Sequence, residues 1–160
     1  MRRTQLDENP CSIAKALDVV GDPWTMLILR DALLGVTRFE DFTTRLGIPR
    51  ATLTARLDHL CEREVLEKVP YQDHPPRSEY LLTPKGEALR PVVVLLMRWG
   101  DEWLRDDDPP TRLEEVDTGR PVDPVVVDRA TGIPLDALEV RAVGPVTTGI
   151  AGRPASRSTN

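Results

Sequence analysis

Cysteine is scarce in this chain: Cys11 and Cys61 are the only two in 160 residues. Two thiols cannot build a disulfide scaffold or fill a four-cysteine zinc site; no metal or other cofactor is expected. Long apolar runs are missing too. The longest, Val92 to Met97, has six residues, against about 20 for a bilayer-spanning helix. Met1 to Glu8 contains no apolar h-region, so no secretory signal is expected. There is no excess of positive charge either, the net charge being −5. These absences exclude a membrane-spanning protein, a secreted disulfide knot and a cysteine-rich zinc finger. A cytoplasmic globular protein is the expectation.

The charge is unevenly spread. Residues 1–100 hold 14 Lys+Arg against 14 Asp+Glu, and residues 101–160 hold 7 against 12, so the whole deficit lies in the last 60. A basic face on the first hundred residues is compatible with the acidic total. From Arg105 the texture changes: Asp106-Asp107-Asp108-Pro109-Pro110 opens a stretch holding 7 of the 15 prolines and no aromatic residue. The expected division is a domain over 1–104, an acidic proline-rich linker with a small appendage over 105–148, and a disordered tail over 149–160. Val125–Val127 and Leu138–Val143 suggest short strands in the appendage. No internal repeat is expected.

The first hundred residues read as punctuated helices. Ile13, Leu17 and Val20 recur at helical spacing before Gly21. Asp22-Pro23 supplies an N-cap and a first-turn proline for a strongly apolar, central helix from Trp24 to Leu34. Thr37-Arg38-Phe39-Glu40 has the form of a capping box. It opens a short helix that Gly47 closes, and Pro49 begins another running to about Arg63, with Leu53, Leu57 and Leu60 inward. So short a glycine-containing connection makes a helix-turn-helix pattern. The period then changes to that of strands over Val65–Tyr71 and Ser78–Leu82, a hairpin around a proline-stiffened loop. Thr83-Pro84 starts a last helix that carries Val92 to Met97, Trp99 and Trp103 and is expected to bend at Pro91.

This order is a winged helix: mainly α with a small β-hairpin, followed by a partly β or irregular appendage. The helix-turn-helix pattern points to double-stranded DNA. With three leucines inward, Thr52, Arg56, His59 and Arg63 form one row along the recognition helix, Arg50 lies at its start and Thr54 on the opposite flank. Arginine suits guanine and phosphate, and threonine suits phosphate or a thymine methyl. Asp58 and Glu62 are also outside, so the helix alone reads rather as an ordinary solvated face; the adjoining turn and wing reverse that in favour of DNA. Arg38 starts the preceding helix, where phosphates commonly lie. Arg77, held out beside two prolines, is either a phosphate or minor-groove contact or the partner of Glu79. His74 is read as a solvated loop histidine. His59 and Cys61 do not face each other, so no Cys–His nucleophile is expected. Leu89, Val92, Leu96, Trp99 and Trp103 form an apolar stripe more extensive than so small a domain needs, which points to a homodimer. No set of nucleophile, base or metal ligands marks an enzyme. The rival to DNA binding is a winged-helix protein-interaction module.

Several motifs resemble the HxlR-type bacterial transcriptional regulators: Cys11-Ser12-Ile13-Ala14, Gly21-Asp22-Pro23-Trp24 through Arg30, Arg38-Phe39-Glu40, Leu53-Thr54-Ala55-Arg56-Leu57, Pro75-Pro76-Arg77-Ser78-Glu79-Tyr80 and Leu82-Thr83-Pro84-Lys85-Gly86. The resemblance spans about residues 10–104 and implies a dimeric winged-helix repressor or activator acting on operator DNA. Pro23 stands where the family often has a basic residue, and Ser12 where it often has proline. Some members end in a metal-binding ribbon; Thr118-Gly119 and Asp128 to Gly132 sit in similar places here, without the cysteines. Some members also sense redox or electrophile signals through a cysteine placed like Cys11. Its helix-start position suits a reactive thiol, Asp7 and Glu8 oppose one, and a small gap-filling residue is the alternative. Cys61, at the edge of an inward face, is the poorer candidate. A small-molecule or electrophile effector is thus implied.

Overall fold

The computed structural model describes residues 10–143, so the expected tail over 149–160 lies outside the described residues. The chain forms α1 (Ser12–Val20), α2 (Pro23–Leu33), α3 (Phe39–Leu46), α4 (Arg50–Glu62), β1 (Leu66–Gln72), β2 (Arg77–Leu82), α5 (Pro84–Glu87) and α6 (Arg90–Trp103). The winged helix expected from the sequence is present.

Local chemistry explains most boundaries. Asp22 Oδ1 accepts from the amides of Trp24 and Thr25 at 3.0 and 3.2 Å, with Pro23 in the first turn of α2. Gly47 ends α3 at φ +61°, a left-handed value that costs glycine nothing. The core gathers Ile28 and Leu29 of α2, Phe42 of α3, Leu53, Leu57 and Leu60 of α4, and Val65, Leu66 and Tyr80 of the wing. Strands β1 and β2 pair antiparallel, Leu66 with Leu82 and Lys68 with Tyr80, with a bulge between Pro70 and Gln72. A third extended segment joins them: Tyr80 N donates to Thr37 O at 2.7 Å, and Arg38 bridges Glu79. The wing is thereby tied to the start of α3.

Three expectations need correction. The capping box does not form: Arg38 is the N-cap of α3 without a side-chain bond, Thr37 Oγ1 donates to Glu79, and Glu40 is taken by Arg50. The last helix does not bend at Pro91 but breaks before Arg90 and restarts, with Pro91 in the first turn of α6, where its missing N–H is harmless. Val125–Val127 and Leu138–Val143 are not regular strands. The appendage has isolated bridges, Glu114 with Pro121 and Val127 with Pro134, and one 3₁₀ turn, Leu135–Ala137. Proline lacks the donor needed to extend either ladder.

Those bridges also uncover a repeat that the sequence reading missed. Glu115-x-x-Thr118-Gly119-x-Pro121-Val122 recurs as Asp128-x-x-Thr131-Gly132-x-Pro134-Leu135. Each threonine hydroxyl donates to the acid three residues earlier, at 2.6 and 2.7 Å. Each glycine amide closes the turn on the same acid's carbonyl at 2.8 Å. The chain divides into two compact units, Met1–Pro124 and Val125–Asn160, the first holding the winged helix. Within it, Arg98 of α6 donates to Pro124 O at 2.6 Å and lies 3.5 Å from Asp123.

Candidate nucleic-acid interface

The start of α3, the start of α4 and the wing enclose an open groove of about 610 Å³. Its lining includes four of the sequence-predicted residues, Arg38, Arg50, Thr54 and Arg77. Lys68 adds a cation, Glu40 and Asp41 add acids, and Phe39, Tyr71 and Tyr80 add aromatic surface.

Each groove cation is held differently. Arg38 Nε donates to Glu79 Oε1 at 3.1 Å, and its guanidinium lies 4.8 Å from the centre of the Tyr71 ring. The hydrogen bond to Glu79, followed by the tyrosine's charge, raises the Arg38 pKa further. Arg50 makes a two-pronged bond to Glu40 and lies over Phe39. That bond holds the Glu40 carboxyl below the usual carboxylate range, with a smaller contribution from the positive charge of Arg77. Lys68 Nζ sits 5.7 Å from the Tyr80 ring centre. Arg77 is exposed, and among the described residues it makes no ion pair, since Glu79 is engaged by Arg38. Thr54 Oγ1 donates back to Arg50 O at 3.0 Å, one turn earlier in the helix.

The row Thr52, Arg56, His59 and Arg63 forms as the period requires, but its polar bonds run to α1 and the start of α2. Arg56 Nη1 lies 3.5 Å from Asp22 Oδ2, His59 Nε2 lies 3.1 Å from Val19 O, and Arg63 Nη2 donates to Asp18 Oδ2 at 2.6 Å. Thr52 is half-buried and does not line the groove. Sequence reasoning missed Lys68, Tyr71 and Glu40. Cross-strand pairing of Lys68 with Tyr80 was available from the hairpin register, and Glu40 was hidden by its place in a capping-box pattern.

Away from the groove, no residue of α6 is buried. Trp99 and Trp103 are 52% and 67% exposed, and Val92 and Leu96 are about half exposed. On α1, Ile13 is 69% exposed and Leu17 half exposed. Cys11 occupies the N-cap of α1 and is half-buried. Burial, followed by the charge of Asp58, pushes the Cys61 thiol pKa up. Among the described residues no cluster of His, Cys, Asp or Glu could hold a metal, and no helix is long and apolar enough to cross a membrane.

A helix-turn-helix followed by a two-stranded wing defines a winged-helix protein of the DNA-reading class. The chain belongs to the HxlR-like helix-turn-helix family, whose model matches residues 19–108. An uncharacterised HTH-type transcriptional regulator of Mycobacterium tuberculosis (strain H37Rv), Rv3095, is 43% identical over 130 residues, covering 81% of this chain and 82% of that one. Another, from Synechocystis, is 32% identical over 98 residues, 61% of this chain and 73% of that one. Among solved structures, PA1607, a proposed transcription factor, superposes with a TM-score of 0.78 at 40% identity, covering 88% of this chain and 99% of that one. The redox regulator HypR in its reduced form gives a TM-score of 0.55 at 29% identity, over 57% of this chain and 92% of that one. The family is one of transcriptional regulators rather than enzymes.

Proposed function

We propose that the protein binds palindromic operator DNA as a homodimer, with α4 entering the major groove and the wing lying on the backbone beside it. The observation that carries this reading is the gathering of Arg38, Arg50, Lys68 and Arg77 around one groove at the N-terminal end of the recognition helix. Arg50 and Thr54 are assigned to base edges or to phosphate, and Arg77 to phosphate or the minor groove. Arg38 contacts the backbone while bracing the wing. Arg56 and His59 hold α4 against α1 and α2, so their effect on DNA is indirect. Exposed Val92, Leu96, Trp99 and Trp103 form the two-fold contact, which sets two recognition helices on successive half-sites.

The test is fluorescence anisotropy with a duplex selected in vitro and with a scrambled duplex, each over a range of salt. Affinity for both should fall steeply with salt. Arg50→Ala should cost about 1–3 kcal/mol on the selected duplex and less on the scrambled one, whereas Arg77→Ala should weaken both evenly. Salt-insensitive binding would instead identify a protein-interaction module.

A second reading concerns Cys11. It begins α1, whose outer residues Ile13 and Leu17 are uncovered. A thiol modified there would act through α1, whose uncovered Ile13 and Leu17 would meet the partner copy in the proposed dimer, making redox or electrophile signals the effector.

A further inference from the structure

Arg50, the first residue of the recognition helix, is engaged twice over. Its Nη1 donates to Glu40 Oε2 at 2.8 Å and its Nη2 to Glu40 Oε1 at 3.1 Å. The guanidinium carbon also lies 4.7 Å from the centre of the Phe39 ring. The fork that would meet guanine O6 and N7 is the fork that Glu40 already fills. Glu40 is an unexpected neighbour there, because an acid on the wall of a groove lined by four cations opposes phosphate. Capping does not account for it: the N-cap of α3 is Arg38, which makes no side-chain cap bond, and Glu40 spends both oxygens on Arg50.

We propose that Glu40 is a specificity-determining residue, which withholds Arg50 from the DNA backbone and yields it only where a guanine takes over the fork. This rests on the DNA-binding reading above. A phosphate accepts an arginine fork as readily as guanine does, so a bare Arg50 would strengthen binding to every sequence. With Glu40 present, moving Arg50 to a phosphate leaves a carboxylate facing the backbone with no donor. At a G·C pair the exchange is better matched: guanine offers two acceptors to Arg50, and cytosine offers an amino donor that a carboxylate can accept. The two side chains are 63% and 66% exposed, so the gate is soft. Arg77, whose charge reaches Glu40, helps to keep the carboxylate ionised while the exchange occurs.

The experiment uses the full chain. Wild type and Glu40→Gln are each taken through selection from a random duplex library. Both are then titrated by anisotropy on the selected and a scrambled duplex, between about 50 and 200 mM salt. Wild type should select a G·C pair at the same place in each half-site. Glu40→Gln should bind the scrambled duplex about three- to tenfold tighter, with a salt slope steeper by about one, and gain less on the selected duplex. Arg50→Ala should abolish the G·C preference, and adding Glu40→Gln to it should restore no preference, tightening both duplexes evenly by removing the acid's repulsion of phosphate. If Glu40→Gln keeps the wild-type affinities and slope, the proposal is overturned. It is also overturned if both duplexes weaken alike, as the loss of a helix-start acid would cause. In either case the DNA-binding reading stands. If wild type shows no salt-dependent affinity for any duplex, both readings fall together.

Discussion

Asp31 in α2 is fully buried and is held by two arginines from different helices. Its Oδ1 accepts from Arg30 Nε at 2.9 Å and its Oδ2 from Arg45 Nε at 3.1 Å, so it fastens α2 to α3, the first helix of the helix-turn-helix. Removing the carboxylate loses both charge-assisted bonds, but each guanidinium is about half exposed and can rehydrate, so the cost is about 1.5–3 kcal/mol. Asp31→Ala should lower stability by that order, read as a shift in the urea midpoint of the helical signal at an unchanged slope. The same scale decides what could be read in advance. Asp22 capping its own helix is legible because donor and acceptor lie within three residues. Asp31 with Arg45, Asp18 with Arg63 and Asp22 with Arg56 are tertiary pairs, and no local pattern announces them. Between the two thiols, burial disfavours the reactive form of Cys61, which leaves Cys11 as the one to test. Diamide treatment should weaken operator binding by wild type and not by Cys11→Ser, as measured by anisotropy; equal responses would make Cys11 structural.

The Leu82-Thr83-Pro84-Lys85-Gly86 motif acts at the scale of an element. Thr83 Oγ1 donates to Glu64 O at 2.7 Å and accepts from Gly86 N at 3.1 Å, and Lys85 Nζ donates to Arg63 O at 2.6 Å. The short α5 is thereby stapled onto the junction between α4 and β1. Gly86 is required by close approach: a Cβ there would stand 2.3 Å from Val65 O and 2.8 Å from Leu82 Cδ2. Backbone cannot yield as a side-chain tip can, so Gly86→Ala should cost about 1–3 kcal/mol, seen as a lowered Tm in thermal melts. Helix starts with a side-chain cap and a proline were legible here, and so was the hairpin. The wing's third segment was not, because Thr37 and Arg38 join β2 only once α3 has been placed across it. The bend expected at Pro91 failed for a related reason. A proline forbids the interior of a helix but permits its start, and the sequence alone does not decide which the fold will use.

For the whole molecule, the proposed dimer rests on α6. Arg98 turns to Pro124 and Asp123, and Met97 and Asp101 border the segment from Pro109 to Pro124. That leaves Val92, Leu96, Trp99 and Trp103 uncovered on a helix with no buried residue. Exposed aromatic and aliphatic side chains in one row are the usual mark of an interface, and a second copy is the partner that a palindromic operator requires. Leu96→Glu combined with Trp99→Glu should therefore give a folded monomer in sedimentation velocity at micromolar concentration, because neither side chain supports the core. Losing the tethered second half-site should also weaken operator binding at least tenfold, within the range expected when two sites are uncoupled. The place of truncation matters as well. Cutting after residue 105 removes the segment that Arg98 holds and bares Met97 of α6, whereas cutting after Pro124 follows the division between the compact units. The chain ending at Pro124 should stay dimeric and keep its DNA affinity, while the shorter one should aggregate. A monomeric wild type, or a glutamate variant that still sediments as a dimer, would refute the assignment of this face.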